Sequence, residues 1–242
     1  MLITPSHKEY LYSLQNFSSE HHTTEFLTNK IDKMIQKIGP KKIGAIVSDN
    51  AANISAARKA ISLKYPNIMN LRCIAHCFNL ISQDIIKIPF AEKLLYRCNI
   101  VDTFFKASHI AASLLRDTIK KNIEGGTLKT FVKTQFYDDL QVLSNTLLPI
   151  KNAILSLESK KTTLVNCMVH LFHIAAIVKN TSTVDYKAFR QACINIFNKR
   201  YKEFNDLQYL LAFFLHPAWK DGRVKDEMFL QLSTAAATLW KF

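Results

Sequence analysis

The chain has 242 residues, of which 48% are hydrophobic and 21% charged, a globular balance that argues against wholesale disorder. Its net charge of +13, from 32 basic and 19 acidic residues, favours polyanions such as nucleic acid as partners, although many basic proteins bind none. The basic residues occur in pairs such as Lys41-Lys42 and not in blocks of five or more, so we predict that the charge is spread over the surface.

The first predicted helix begins at Thr23 or Thr24, whose side-chain oxygen can accept a hydrogen bond from the free amides of a helix start. Glu25 adds negative charge to the first turn, where the helix dipole favours it. Apolar residues then recur at helical spacing through residues 27–38. The pair Gly39-Pro40 predicts the end of this helix, since glycine terminates helices well and proline cannot continue them.

Four further elements alternate along the next stretch of the chain. They are a buried strand at residues 43–47, a helix through residues 54–61, a second short strand within residues 68–74 and a helix over about residues 76–87. Tyr65-Pro66 closes the first of these helices. A strand, helix, strand and helix in this order predict a parallel sheet with a right-handed crossover.

After Pro89 the pattern changes, and no convincing strand is predicted. Apolar residues recur at three- and four-residue intervals through residues 140–157, 164–178 and 189–200. The chain has only five glycines, which leaves few positions for tight turns and favours long helices. We therefore predict an α/β chain that is predominantly helical, in which a few short strands precede an all-helical region.

Ser48-Asp49-Asn50 follows the C-terminal end of the first buried strand, and two interpretations of Asp49 remain open. A carboxylate at the C-terminal end of a parallel strand faces the crevice where α/β proteins place ligands, and it could hold Mg²⁺. The alternative is that Asp49 caps the next helix by accepting an amide hydrogen near Ala52 or Asn53. The spacing alone favours the cap.

Cys73, His76 and Cys77 could begin a zinc site, but the sequence offers no second ligand pair at suitable spacing. The five cysteines are odd in number and irregularly spaced, so we expect reduced thiols in a nuclear protein, or alternatively a cytoplasmic one. The start of the chain lacks the features of a signal peptide. No apolar run approaches the roughly 18 residues of a membrane span, and no membrane association is expected.

Several of these segments together resemble the core of hAT-superfamily DNA transposases. The matching stretches, all read from this sequence, are Phe17-Ser18 with Thr23-x-Glu25-Phe26, residues 43–53, Ala57-Arg58, Tyr65-Pro66, Cys73-x-x-His76-Cys77-x-Asn79-Leu80 through Asp84, and residues 212–217. The resemblance is dense over residues 10–90 and thin thereafter. It implies an incomplete ribonuclease H-like sheet in residues 1–90, followed by a helical insertion in residues 91–242.

The resemblance also implies roles for particular residues. Asp49 matches the second of three acidic residues that bind Mg²⁺ or Mn²⁺ for DNA strand cleavage and transfer, which favours the metal interpretation over the cap. The supporting residues that it implies are Asn50, Asn53, Cys73 and His76. Arg58 is a candidate DNA contact, and so is Phe136, because Thr134-Gln135-Phe136 is the nearest match to a family segment whose aromatic residue contacts DNA.

The family's first acid precedes the segments found here, and its last acid follows the insertion. We therefore expect a truncated, catalytically inactive copy that holds a metal ion weakly at Asp49 and contains no tightly bound cofactor. The alternative is a domesticated, non-enzymatic module that binds DNA through its basic surface, binds another protein or self-associates. Without the family's first strand, the strand at residues 43–47 is expected to have an open edge.

Overall fold

The computed structural model describes residues 1–122, 134–159, 162–181, 185–204, 207–219 and 225–240. Within them it contains ten α-helices and four short strands. The strands are β1 (Leu2–Ile3), β2 (Glu9–Tyr10), β3 (Ala45–Ser48) and β4 (Met69–Arg72). The helices are α1 (Thr24–Ile38), α2 (Ala52–Lys64), α3 (Ile74–Ile86), α4 (Pro89–Ala107), α5 (His109–Asn122), α6 (Thr134–Leu157), α7 (Leu164–Asn180), α8 (Lys187–Phe204), α9 (Leu207–Leu215) and α10 (Asp226–Trp240).

This architecture confirms the predicted fold class, a predominantly helical chain with few short strands. All four strands of the described residues lie before Pro89, as predicted. The predicted helical stretches at residues 140–157, 164–178 and 189–200 correspond to α6, α7 and α8. No helix in the described ranges is both long enough and apolar enough to cross a lipid bilayer.

The ends of α1 follow the predicted signals. The hydroxyl oxygen of Thr23 accepts a hydrogen bond of 3.1 Å from the amide of Phe26, so Thr23 is the capping residue. At the other end Gly39 has a φ of 105° and donates its N–H to the carbonyl of Ile35 at 2.8 Å. A positive φ of this kind favours glycine, which explains why the helix stops there.

The central sheet element is a parallel pair formed by β3 and β4, with α2 as the crossover. Ala45 lies opposite Met69, and Ser48 lies opposite Arg72. The predicted parallel pairing is therefore confirmed. In the described part of the chain neither strand pairs with a third one, while β1 and β2 form a separate antiparallel pair.

A small apolar core joins α1 and α2 to this sheet. Ile35 of α1, Ile61 of α2 and Ile68 before β4 are each at most 2% exposed and form one cluster. Ile46 of β3 and Tyr65 pack against the same cluster. Burial of these branched side chains supplies the main stabilisation of this part of the chain, and it fixes the face of β3 that carries Ile46 towards the helices.

The chain forms two compact units. The first comprises Met1–Phe78, Ala153–Phe172 and Tyr201–Phe242, and the second comprises Asn79–Asn152 and His173–Arg200. In the second unit the ring of Phe90 packs against Phe189 at 4.8 Å between ring centres. Also in that unit, Arg200 forms an ion pair of 2.7 Å with Asp84.

A polar cluster at the edge of the first core leads to a pH-dependent prediction. Asp32 accepts hydrogen bonds from Lys64 at 2.8 Å and from the hydroxyl of Tyr65 at 2.7 Å. These bonds, that of Lys64 first, hold the pKa of Asp32 below its usual value of 3.8. The ionised carboxylate therefore stabilises the fold above pH 3.8, and this contribution is lost as the pH falls through the lowered pKa.

We expect Asp32→Asn to destabilise the chain at pH 7 by up to about 1 kcal/mol, since the ion pair is partly exposed and screened by solvent. The difference from wild type should shrink when denaturant unfolding is measured below pH 3.8. Asp102→Asn, which removes the exposed ion pair of Asp102 with Lys106, is the matched control and should change the unfolding midpoint less. If the difference in unfolding free energy between wild type and Asp32→Asn were the same at pH 7 and below pH 3.8, the prediction would be contradicted.

Candidate functional site at the ends of two parallel strands

Asp49 directly follows the last residue of β3, as the sequence predicted. Its side chain is exposed, and one carboxylate oxygen accepts the amide of Ala51 at 3.2 Å. This local hydrogen bond turns the chain sharply after the strand, in the manner of an aspartate turn. The carboxylate is thereby held at the C-terminal edge of the sheet, where α/β folds place ligands.

The cap interpretation of Asp49 was wrong in its details. The residue that precedes α2 in the capping position is Ala51, and no side chain caps the helix there. The carboxylate of Asp49 reaches the amide of Ala51 and not that of Ala52 or Asn53. It shapes the loop between β3 and α2, and it does not stabilise the first turn of the helix.

Cys73 lies beside Asp49 because it follows the neighbouring strand. Ser48 and Arg72 are register partners at the ends of β3 and β4, and the amide of Cys73 donates to the carbonyl of Ser48 at 2.8 Å. Helix α3 begins two residues earlier than predicted, so His76 and Cys77 lie in its first turn. His76 is half-buried and Cys77 is buried.

The cysteine and histidine motif shows no sign of forming a zinc centre in the described residues. Nowhere among them do three or more histidine, cysteine, aspartate or glutamate side chains group closely enough to hold a metal ion. All five cysteines are free thiols. Outside this motif, burial raises the pKa of the Cys167 thiol to about 12, so that thiol stays protonated at neutral pH.

Arg58 occupies a different environment from the predicted DNA contact. Its side chain is 1% exposed, and its guanidinium donates to the hydroxyl of Ser48, to the main-chain carbonyl of Asp49 and, at 2.8 Å, to the amide oxygen of Asn70. A guanidinium enclosed in this way cannot reach a phosphate without leaving its partners. In this position Arg58 supports the loop that carries Asp49, and its role as a DNA contact stays a prediction.

The remaining predicted residues have separate surroundings. The side-chain amide of Asn53 donates to the carbonyl of His22 at 2.6 Å, which ties the start of α2 to the segment before α1. Asn50 is exposed in the loop after Asp49. Phe136 lies on α6 in the second unit, half-buried, with its ring centre 6.0 Å from that of Tyr137. Its role as a DNA contact stays a prediction.

Three residues around the site were not predicted from the sequence. Ser48 and Asn70 hold Arg58, and the buried hydroxyl of Tyr209 donates to the carbonyl of Arg72. The last contact joins residues 137 positions apart. No local pattern in the sequence could have indicated it.

The donor set does not fit a two-metal centre. Such a centre needs several carboxylates that converge on two ions and hold the attacking and leaving oxygens in line. In the described part of the chain Asp49 has no such companions, since no metal-binding group of three is formed. No reaction step through a metal ion is therefore assigned to these residues.

Residues 1–101 match the family model described as Domain of unknown function (DUF659). This family is associated with hAT-like, transposase-related proteins. The DUF659 match covers β1 to most of α4, with Asp49, Arg58, Cys73 and His76 inside it and Phe136 outside it. No curated protein and no solved structure matches the chain.

Proposed function

We propose that this chain derives from a hAT-type transposase and that the chain itself does not cleave DNA. The observation that carries the proposal is the placement of Asp49 at the end of β3, next to Cys73 at the end of β4, within the DUF659 match. In this proposal residues 1–90 are the remnant of a catalytic core, and residues 91–242 are its helical insertion. We place the protein in the nucleus, where DNA is available to it.

The proposed loss of cleavage follows from the chemistry of phosphate transfer. A single carboxylate binds Mg²⁺ weakly, because this ion is normally held by one or two carboxylates together with substrate phosphates and waters. It also cannot position two ions on opposite sides of the reacting phosphate. Asp49 would then be an inherited residue whose present role is to shape the loop between β3 and α2.

We expect no nicking of supercoiled plasmid or of transposon-end duplex by the purified chain in Mg²⁺ or Mn²⁺. The measurement is gel separation of nicked and intact DNA for wild type, Asp49→Ala and the control Asp102→Ala. All three should match the protein-free lane. Metal-dependent nicking that is present in wild type and Asp102→Ala but absent in Asp49→Ala would overturn the proposal.

A second candidate function is DNA binding without cleavage, and the net charge of +13 favours it. Lysine and arginine side chains spread over a surface bind duplex DNA through its phosphates and release condensed counterions, without reading sequence. Titration of duplex DNA at two salt concentrations tests this function separately from cleavage. The two functions are compatible, since a transposase remnant can keep its affinity for DNA after it has lost the metal centre.

A further inference from the structure

The main-chain groups of β3 alternate between two directions. In a parallel pair, successive residues direct both N–H and C=O to opposite sides of their strand. The carbonyls of Gly44 and Ser48 accept the amides of Met69 and Cys73, each at 2.8 Å. Residues 44, 46 and 48 therefore face β4, and the main-chain groups of Ala45 and Val47 point to the opposite edge.

That opposite edge is open in the described part of the chain. No other strand pairs with β3 on this side, and no hydrogen bond to the main chain of Ala45 or Val47 is formed there. The Val47 side chain is 57% exposed. Residues 43–48 also contain neither a charged residue nor a proline, the usual devices that keep an edge strand from pairing with another chain.

We propose that two copies of this chain associate by antiparallel pairing of their β3 edges about a two-fold axis at Ile46. In this register Ala45 of one copy faces Val47 of the other. All the outward N–H and C=O groups of both residues then find partners, because such facing residues exchange both hydrogen bonds. The result is a continuous four-stranded sheet with an isologous interface.

The charges on either side of β3 favour the antiparallel arrangement over the parallel one. They also make a second copy of this chain a suitable partner for the open edge of β3. The exposed pair Lys41-Lys42 precedes the strand, and the exposed Asp49 follows it. Antiparallel pairing brings the basic end of each strand to the acidic end of the other, twice by symmetry, whereas parallel pairing would place like charges together. The exposed Val47 also gains an apolar neighbour across the axis. This proposal does not depend on the proposed function.

The test combines sedimentation velocity with hydrogen exchange of the intact chain. Wild type should shift from monomer to dimer with concentration. Exchange at Ala45 and Val47 should be fast in dilute protein and about tenfold slower when nine-tenths of the chains are dimeric, because exchange then proceeds through the remaining monomer. The amide of Ile46, which faces β4, is the internal reference and should be protected throughout.

Val47→Pro is the matching variant, since it removes an outward N–H that has no partner in the monomer and blocks the edge. It should remain monomeric, whereas the control Leu230→Lys, which changes a side chain 69% exposed on α10, should still dimerise. Circular dichroism reports whether the Val47→Pro variant folds. If this variant does not fold, the hydrogen exchange of wild type at Ala45 and Val47 decides whether β3 edges pair. A chain that is monomeric at all concentrations, a dimer in which Ala45 and Val47 still exchange fast, or a folded Val47→Pro dimer would each overturn the proposal.

Discussion

Replacing Arg58 with alanine is expected to destabilise the chain by about 3 kcal/mol. The guanidinium joins Ser48, the carbonyl of Asp49 and Asn70. Its removal takes a donor away from the half-buried Ser48 and Asn70, and each acceptor that is left unsatisfied costs about 1–3 kcal/mol. It also opens a cavity at a side chain that is 1% exposed. Denaturant unfolding followed by circular dichroism measures the loss.

Two further variants make this prediction specific. Arg58→Lys keeps the positive charge but lacks the planar guanidinium that can donate to several acceptors at once. Its loss of stability should therefore lie between that of wild type and that of Arg58→Ala. Lys59→Ala changes the adjacent, exposed residue of α2 and should stay within about 0.5 kcal/mol of wild type. If Arg58→Ala lowered the free energy of unfolding as little as Lys59→Ala does, Arg58 would not support the Asp49 loop.

The affinity for duplex DNA is expected to fall about a thousandfold between 50 and 200 mM salt if about six phosphates are neutralised. The physical reason is counterion release, since each neutralised phosphate frees condensed cations whose entropy gain shrinks as the salt concentration rises. Fluorescence anisotropy of a labelled duplex at several salt concentrations gives the slope of log affinity against log salt.

The control for this measurement is the DNA sequence. Duplexes of equal length and unrelated sequence should bind with similar affinity and similar slope, because phosphate contacts carry no sequence information. An affinity that does not change with salt, or no binding at 50 mM salt, would contradict the DNA-binding function. Neither outcome would bear on cleavage, which the nicking assay tests separately.

Local sequence signals predicted the first part of the fold well. Thr23 and Gly39 marked the two ends of α1 in the sequence, because capping and a positive φ depend on residues within one turn of the helix end. The parallel pairing of β3 and β4 followed from the alternation of element types. The position of Asp49 at a strand end followed in turn, because it required only that the strand be identified.

The environment of the site could not be predicted in the same way. The sequence offered Arg58 only as a candidate DNA contact, and it is the three-dimensional arrangement of Ser48 and Asn70 that shows its guanidinium to be enclosed. The contact of Tyr209 with Arg72 depends on a helix far along the chain. Side-chain partners distant in sequence leave no periodic pattern, so propensity and spacing carry no information about them.

The order in which the segments of the first compact unit are synthesised has a consequence for its folding in the cell. Because that unit takes its last segment from Tyr201–Phe242, Tyr209 leaves the ribosome long after β4 does. A nascent chain that ends within the DUF659 match leaves the carbonyl of Arg72 without this donor. The first unit is thus expected to mature only after residues 201–242 have left the ribosome, and its earlier segments depend on chaperones until then.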